Sequence, residues 1–406
     1  MTPRPVAVLL NLGHAVDHMF LLIFAAAVGS IAADFGLARW EDLMPYGVGA
    51  FFLFGLGALP SGRLGDLWGR RSMMVLFFFG MGAAALLTAL TRSPWQLAGG
   101  LALIGLFASI YHPVGIPMLL QGARTPGATI GLNGLAGNLG IALAAVLTGL
   151  LVKWLGWRSA FAIPGLACIV VGLVFLRVCP VESEAPALRK GGAAVRLPPA
   201  LLARALAVMT AASVTSGLLF NFTTNGNAQL MNERFRGIVE DPALLGALLG
   251  SVYAMASIAQ LVTGRLIDRI ALKPLYLGIT LAQVPALLLA SQAQGWWLYA
   301  LLLCAMISIF GAIPFTDAII VRYVDDRVRS RVAGMRLAIS LGVGSLAVWL
   351  LGPVVKSAGF ATLLGVMAAI ALCTSAVLLL LPSDRRHATG RQDRHPATDG
   401  QQVPGG

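Results

Sequence analysis

The stretch "GRLGDLWGRR", residues 62–71, follows a long apolar run, and a degenerate copy, "GRLIDRIALK" at residues 264–273, follows another. The two copies share glycine, arginine, leucine and aspartate at the same places. The matching pairs are Gly62 and Gly264, Arg63 and Arg265, Leu64 and Leu266, and Asp66 and Asp268. A second pair of segments, "GLNGLAGNLG" at 131–140 and "GMRLAISLG" from Gly334, repeats at nearly the same spacing. The sequence therefore predicts two copies of one unit in the same orientation.

Composition predicts that both copies lie in a membrane. Of the 406 residues, 58% are hydrophobic and 11% are charged, whereas a soluble domain carries roughly 25% charged residues. The apolar runs are about 20 residues long, the length that an α-helix needs to cross a bilayer, and they lack the alternation of barrel strands. We therefore predict an all-α integral membrane protein with twelve transmembrane helices in two pseudo-symmetric six-helix bundles. The predicted spans are 5–33, 43–63, 72–91, 96–120, 127–152, 158–177, 203–230, 243–264, 274–291, 297–320, 333–355 and 359–381.

These spans divide the chain into four parts. We predict an N-terminal bundle over residues 1–177 and a C-terminal bundle over 203–381. Residues 178–202, rich in Pro, Gly and charge, are predicted to form a cytoplasmic linker. The polar residues 382–406 are predicted to form a disordered cytoplasmic tail.

The net charge of +12 would suggest nucleic-acid binding in a soluble protein, but its distribution indicates membrane topology instead. Roughly three quarters of the lysines and arginines fall at the termini, in the even-numbered loops and in the linker, as the positive-inside rule requires of cytoplasmic segments. We therefore predict a multi-pass protein of a bacterial inner membrane with both termini in the cytoplasm and no nucleic-acid partner. The four cysteines lie far apart and suit neither a disulfide framework nor a zinc site.

The loop motif resembles that of a known family. Its residues match the signature G-x-L-[AG]-D-x-x-G-R-[RK] of the major facilitator superfamily, at Gly62, Leu64, Asp66, Gly69, Arg70 and Arg71. The resemblance covers about residues 5–381, and it implies the major facilitator fold and a conformation-locking role for this loop, with Asp66 as the central residue. The basic residue usual after that aspartate is replaced by Leu67, although the second copy restores it as Arg269.

Two other segments resemble a particular branch of that superfamily. "YHPVG" at 111–115 and "GNLGIALAAVLTG" at 137–149 are similar to the fosmidomycin-resistance branch of efflux carriers. The antiporter signature on the fifth span keeps its glycines but lacks the usual Gly-Pro step. This branch resemblance is the ground for expecting export rather than import.

The apolar first span contains "NLGHAVDHMFLLIF", residues 11–24, in which His14, Asp17 and His18 share one helical face. The family resemblance implies that spans 1, 4, 7 and 10 line a central cavity, and ionisable groups inside a membrane are expected to face such a cavity. The candidate residues for proton coupling or the substrate cavity are His14, Asp17, His18, His112, Asn221, Asn225, Asn227 and Asp317. "TTNGN" at 223–227 is predicted to break the seventh helix.

Three interpretations of the histidine cluster stay open at the sequence level. Proton coupling is favoured, because histidine titrates near neutral pH. Metal coordination by His14, Asp17, His18 and His112 would make a transition-metal transporter of the copper type. The third interpretation is purely structural: polar side chains satisfied across helix interfaces. For Asp317, an ion pair with Arg322 or Arg336 competes with a coupling role.

We predict a proton-coupled secondary transporter that moves a small, amphipathic organic solute by alternating access, with export favoured over import. The expected partners are the solute, protons and membrane lipid, and we expect a monomer. There is no Walker loop and no nucleophile–base constellation, so neither ATP-driven transport nor an enzyme is expected. We expect no cofactor and no resident metal. The alternatives are a transition-metal transporter and a non-transporting membrane receptor of the same fold.

Overall fold

The computed structural model describes residues 3–121, 126–181, 199–267, 269–323 and 326–381, and these residues form no strand. Its long helices are α1 (Arg4–Asp34), α2 (Val48–Trp68), α3 (Arg70–Ala89), α4 (Pro94–Leu120), α5 (Pro126–Leu155), α6 (Trp157–Val178), α7 (Pro199–Arg234), α8 (Pro242–Ile267), α9 (Leu272–Gln292), α10 (Gly295–Tyr323) and α11 (Asp326–Leu378). Two short 3₁₀ turns, Trp40–Asp42 and Met44–Gly47, lead into α2. The all-α membrane prediction is confirmed.

Within the described ranges, 11 helices are long and apolar enough to cross a membrane. The last of them, α11, is interrupted at Gly359, whose backbone is not helical (φ 75°, ψ 170°). Gly156, its counterpart in the first half, has nearly the same conformation (φ 80°, ψ 165°) and separates α5 from α6. Both positions need a positive φ, which glycine adopts without steric cost. The same turn therefore recurs in both halves, and α11 supplies the eleventh and twelfth crossings.

The halves pack internally through α1 on α5 and α3 on α6 in the first, and through α7 on α11 and α8 on α10 in the second. In the described part of the chain, the halves meet mainly between α5 and α8 and between α2 and α11, and α1 also packs against α7. Small residues bring backbones close together, as is common for membrane helices. A side chain at Gly140 would place its Cβ 2.0 Å from the carbonyl oxygen of Ala15 on α1.

Two ion pairs cross between the halves at one end of the molecule. Lys153, near the end of α5, pairs with Asp241, just before α8. Lys356, on α11, pairs with Asp42, just before α2. We call these two contacts the bridging ion pairs. They occupy equivalent places in the two repeats, since in each case a lysine near the end of one helix meets an aspartate ahead of a helix in the other half.

The predicted break of the seventh helix is wrong, because α7 runs without interruption through residues 223–227. Its polar side chains bond back to the helix: Thr223 donates to the carbonyl of Leu219, and Thr224 to that of Phe220. α7 also begins at Pro199, ahead of the predicted start at 203. Asp268, most of the predicted linker and the predicted tail lie outside the described residues, so the domain division stays a prediction.

Candidate functional site

The candidate site is built on α1 and α4. The sequence spacing puts His14, Asp17 and His18 on one face of α1, and α4 brings His112 to that face. His112 lies in a π-helical turn, Tyr111–Gly115, inside α4. Such a turn adds a residue to the helix and shifts the side chains after it, and it is often found at functional sites. The structure thus brings together four of the five ionisable residues that the sequence singled out, and the side chain of the fifth, Asp317, lies outside the described residues.

The three imidazoles form a compact group, which we call the histidine cluster: His14, His18 and His112. The Nε2 atoms of His14 and His18 are 3.1 Å apart. The ring of His112 is edge-on to both, with its centroid 5.0 Å from that of His14 and 5.6 Å from that of His18. One ring nitrogen of each lies within 4.8 Å of the others.

Asp17 lies beside the cluster and is fully buried, with 0% of its surface exposed. Neither carboxyl oxygen has a hydrogen-bond partner among the described residues. The nearest opposite charge would come from His112, whose Nε2 lies 3.7 Å from Oδ2. A buried carboxylate without a partner is costly. The group is therefore stable only when it carries a proton itself or when His112 is protonated.

Asn133 on α5 is a site residue that the sequence interpretation missed. Its backbone carbonyl accepts from Nδ1 of His14 at 2.7 Å. Its side-chain Nδ2 donates to Asn11 Oδ1 at 2.9 Å and to the Tyr111 hydroxyl at 2.7 Å. The Tyr111 hydroxyl in turn donates to the carbonyl of Leu10. This network joins α1, α4 and α5 behind the histidine cluster.

The imidazole of His14 is also held by packing against its neighbours. The ring of Tyr111 stacks on His14 with centroids 4.7 Å apart and an interplanar angle of 14°. On the α5 side, Gly137 lets the helix touch the imidazole directly, since a Cβ there would lie 2.6 Å from Cε1 of His14. His14 is therefore fixed by packing as well as by its hydrogen bonds.

The candidates in the second half are placed differently. Asn221 and Asn225 are buried in α7, where their Nδ2 atoms donate to the carbonyls of Gly217 and Asn221. Their Oδ1 atoms have no partner within the described chain. Asn227 points its Nδ2 towards Sδ of Met306 on α10 at 3.5 Å. No described contact joins these amides to the histidine cluster.

Asp317 lies in α10, but its side chain falls outside the described residues. The neighbouring Thr316 accepts a hydrogen bond from Arg336 on α11. Of the two predicted partners of Asp317, only Arg336 is described, and it bridges α11 and α10. The choice between a structural ion pair and a coupling role therefore stays a prediction.

The loop motif connects helix ends. Gly69 turns the chain between α2 and α3 with φ 90°. Arg71 donates to the carbonyls of Cys179 and Leu176 at 2.8 and 2.7 Å, so it caps the C-terminus of α6. Arg70 donates to the carbonyl of Pro117. Its side chain lies 3.9 Å from Asp66, which is 56% exposed.

Among the described residues, then, Asp66 lies beside Arg70, one turn further along the chain. The first glycine of the motif is closely packed only in the first copy. A Cβ at Gly62 would contact Pro113, whereas one at Gly264 would meet nothing within 4 Å. The described residues Arg265 and Arg269 of this copy lie at and just after the end of α8. The conformational role of either copy stays a prediction.

Comparison with known proteins agrees with the helix pattern. The sequence profile of the Major Facilitator Superfamily matches residues 10–236 and 237–399. A probable actinorhodin transporter of Streptomyces coelicolor is 30% identical over 166 residues, which cover 38% of this chain and 28% of that protein. The puromycin resistance protein pur8 of Streptomyces alboniger is 29% identical over 42% of this chain and 33% of its own length. The gentisate transporter of Corynebacterium glutamicum is 27% identical over 41% of this chain and 38% of its own length.

The fold is also that of a solved transporter. A bacterial homolog of the human lysosomal transporter Spinster, in an inward-facing and occupied conformation, superimposes with a TM-score of 0.72 at 16% identity. The alignment covers 93% of this chain and 96% of that one. The sequence match spans well under half the length of each of the three relatives named above, but the profile covers both halves of this chain, which shows that this multi-pass membrane protein belongs to the Major Facilitator Superfamily.

Proposed function

We propose that this protein is a transporter of small solutes and, more closely, a proton-coupled secondary carrier that moves a small, amphipathic organic solute by alternating access, with export favoured over import. The observation that carries the proposal is Asp17, a fully buried carboxyl without a hydrogen-bond partner among the described residues, 3.7 Å from an imidazole nitrogen of His112. An ionisable residue inside a membrane is by default functional. Here it lies within reach of three more groups that can carry protons.

Whether Asp17 binds or releases a proton depends on how much a buried negative charge costs at this site. When the site is closed to water, Asp17 is stable as the neutral acid or paired with a protonated His112. When the site opens to water on one side, hydration lowers the cost of the free carboxylate and the proton can leave. A carrier whose two halves open the site alternately to each side would therefore load a proton on one side and release it on the other.

The relatives support an organic solute. Two of those named above carry the names of antibiotics, actinorhodin and puromycin, and a third that of an aromatic acid, gentisate. A further relative of Pseudomonas aeruginosa is named a 4-hydroxybenzoate transporter. These are ring compounds with polar groups, as an amphipathic solute would be. The antibiotic names support export, while the aromatic-acid names leave import open.

Proton movement that depends on solute is the test. Purified protein is reconstituted into liposomes with a pH-sensitive dye inside, and actinorhodin, puromycin, gentisate and 4-hydroxybenzoate are added in turn. We expect at least one of the four to move protons with wild type and none with Asp17→Asn. Asp34→Asn is the matched control, because Asp34 lies at the exposed end of the same helix and pairs with Arg158. Absence of proton movement with all four in wild type would contradict the proposal.

Metal transport is the second candidate, and one observation favours it. One nitrogen from each of His14, His18 and His112 lies within 4.8 Å of the other two. A zinc ion bound by imidazoles at about 2.0–2.1 Å would need these nitrogens closer together, so the rings would have to converge.

Calorimetric titration with copper, zinc, nickel and iron separates the two candidates. We expect no stoichiometric metal binding. One tight site that both His18→Gln and His112→Gln abolish would replace the proton proposal with the metal one. Solute flux in the liposomes would also exclude a non-transporting receptor of this fold.

We also propose that the chain works as a monomer in a bacterial inner membrane with both termini in the cytoplasm. The basic residues that favour this orientation include Arg63, Arg70 and Arg71 of the loop motif. The bridging ion pairs would then lie on the periplasmic side. Labelling of Lys153→Cys and of Arg63→Cys in intact cells with a membrane-impermeant reagent tests this, and we expect only the first to react.

A further inference from the structure

The hydrogen bonds of the histidine cluster fix where its protons are. A carbonyl oxygen can only accept, so the 2.7 Å contact between His14 Nδ1 and the Asn133 carbonyl requires a hydrogen on Nδ1. In neutral His14 the lone pair is therefore on Nε2. That atom faces Nε2 of His18 at 3.1 Å, so His18 must donate to it. The geometry alone thus assigns both tautomers: Nδ1–H on His14 and Nε2–H on His18.

We propose that His14 and His18 act as one proton acceptor that holds a single extra proton between them. We further propose that Asn133 is the positioning residue that determines which of the two imidazoles donates the hydrogen bond in the neutral pair. The inference rests on the proposed function, since it describes how part of the coupling site carries its proton.

The transfer balances atom by atom. An incoming proton bonds to the free lone pair on Nδ1 of His18, which gives a cation with N–H on both nitrogens. The Nε2–H bond of His18 can then break as an N–H bond forms on Nε2 of His14. The charge now lies on His14, and His18 is neutral with its hydrogen on Nδ1. Release follows the same steps in reverse.

A second proton is excluded by the same geometry. It would put hydrogens on both facing Nε2 atoms, 3.1 Å apart, and so replace the hydrogen bond with a clash of two donors. It would also create two cations with ring centroids 4.8 Å apart in a buried site. Two groups that interact so strongly titrate as a pair rather than as independent residues.

The surroundings contain few other charges. The titratable or charged groups near the pair are Asp17 on α1, Tyr111 and His112 on α4, and Arg336 on α11, whose charge acts on His112. The residues of α5 that touch the pair, Asn133 and Gly137, cannot ionise. α7, which also packs against α1, carries no charged side chain between residues 205 and 232.

Asn133 controls the pair because its position controls the carbonyl that fixes His14. Its side chain is 2% exposed and is held by Asn11 and Tyr111. Without these two bonds, this turn of α5 would lose its side-chain hydrogen bonds to α1 and α4, the carbonyl of Asn133 could shift, and the hydrogen of His14 could move to Nε2. Two lone pairs or two hydrogens would then face each other across the pair for part of the time.

Nitrogen-15 NMR of the full-length protein with labelled histidine tests the proposal, because nitrogens with and without a hydrogen give distinct signals. Each signal is assigned with a His→Gln variant, and His387 and His395 serve as references. At high pH we expect Nδ1–H on His14 and Nε2–H on His18. On acidification, the signals of both should change together in a single step that adds one proton to the pair. A hydrogen on Nε2 of His14, or separate steps that leave both imidazoles protonated, would overturn the proposal.

Asn133→Ala tests the positioning role. We expect mixed tautomers at His14 and a displacement of the pH profile of transport by about one unit, the usual spread of histidine pKa values among protein environments. Asn138→Ala is the matched control, a buried asparagine of the same helix whose Nδ2 has no partner in the described chain, and it should behave as wild type. An unchanged tautomer and pH profile in Asn133→Ala would remove Asn133 from the site. Because the NMR result does not depend on transport, a failure of proton coupling and a failure of the single-proton pair can be told apart.

Discussion

At the residue scale, the site shows which side chains a sequence can reveal. The spacing of His14, Asp17 and His18 places them on one face of α1, and their rarity in an apolar helix marks them as candidates. Asn133 gives no comparable signal. It is one amide among glycines, and its decisive contact uses a backbone carbonyl, which every residue has. Sequence reasoning can find ionisable groups in a membrane span, but it cannot find the neighbours that orient them.

Gly137 gives a residue-scale prediction. Gly137→Ala would place a methyl group 2.6 Å from Cε1 of His14 and must displace that ring. We expect transport to fall on the order of 10- to 100-fold, because a displacement near 1 Å at a functional group has effects of this size. The cost of overpacking should be about 1–3 kcal/mol, measured by thermal unfolding.

Gly99→Ala on α4 is the control, since a Cβ at Gly99 meets nothing within 4 Å. Normal transport and proton coupling by Gly137→Ala would show that the position of the His14 ring does not matter.

At the element scale, the sequence predicts the helices correctly where no other secondary structure is possible. Long apolar runs must be helical in lipid, because every backbone group has to be satisfied within the segment. The same requirement explains why the predicted break at residues 223–227 is wrong, because a break would leave backbone groups without hydrogen bonds. Asn and Thr favour turns in water, but here Thr223 and Asn225 donate to carbonyls one turn earlier and the helix continues. The turn glycines Gly156 and Gly359 mark real boundaries because their positive φ excludes a helix.

The loop between α2 and α3 gives an element-scale prediction. The contact between Asp66 and Arg70 is long and exposed, so Asp66→Asn should leave insertion and thermal stability within about 0.5 kcal/mol of wild type. We nevertheless expect reduced transport and a shift of accessibility towards the cytoplasm, because the family resemblance implies that this loop locks one conformation. Cysteine labelling from each side measures this, with Glu240→Gln as the control. An unchanged labelling pattern with normal transport would make the loop merely a determinant of topology.

At the scale of the whole molecule, the bridging ion pairs connect the two halves at one end, and we predict that they help to keep this end closed. We expect Lys153→Asp to separate α5 from α8 at this end, because two carboxylates would then face each other. The exchange of both residues, Lys153→Asp with Asp241→Lys, should restore the wild-type distance between spin labels on the two helices. Arg158→Asp is the control, since Arg158 pairs with Asp34 inside the first half. Failure of the exchange to restore the distance would show that the pair does not hold this end closed.

The pH dependence of this contact follows from Asp241, which lies outside the membrane span. A hydrogen bond from Lys153 holds its pKa below the ordinary value of 3.8. A lowered pKa in the folded protein means that the stabilisation is present above the ordinary value and is lost as pH falls through the folded one. We therefore expect the ion pair to stay intact from about pH 7 to about pH 5. The distance between spin labels on α5 and α8 should then stay constant over this range in Asp17→Asn, in which the buried carboxyl can no longer titrate. A distance that changes in that range in Asp17→Asn would contradict this account, because the ion pair would then not rest on an aspartate whose pKa lies below its ordinary value.

The most direct test of proton coupling is solute movement driven by an imposed pH gradient, in liposomes that contain either wild type or Asp17→Asn. The solute is whichever of the four compounds moves protons. Coupling through Asp17 predicts that wild type concentrates this solute on one side for as long as the gradient lasts, whereas Asp17→Asn only lets it equilibrate. Equal accumulation by both proteins would contradict the central claim, because the buried carboxyl would then not carry the coupled proton.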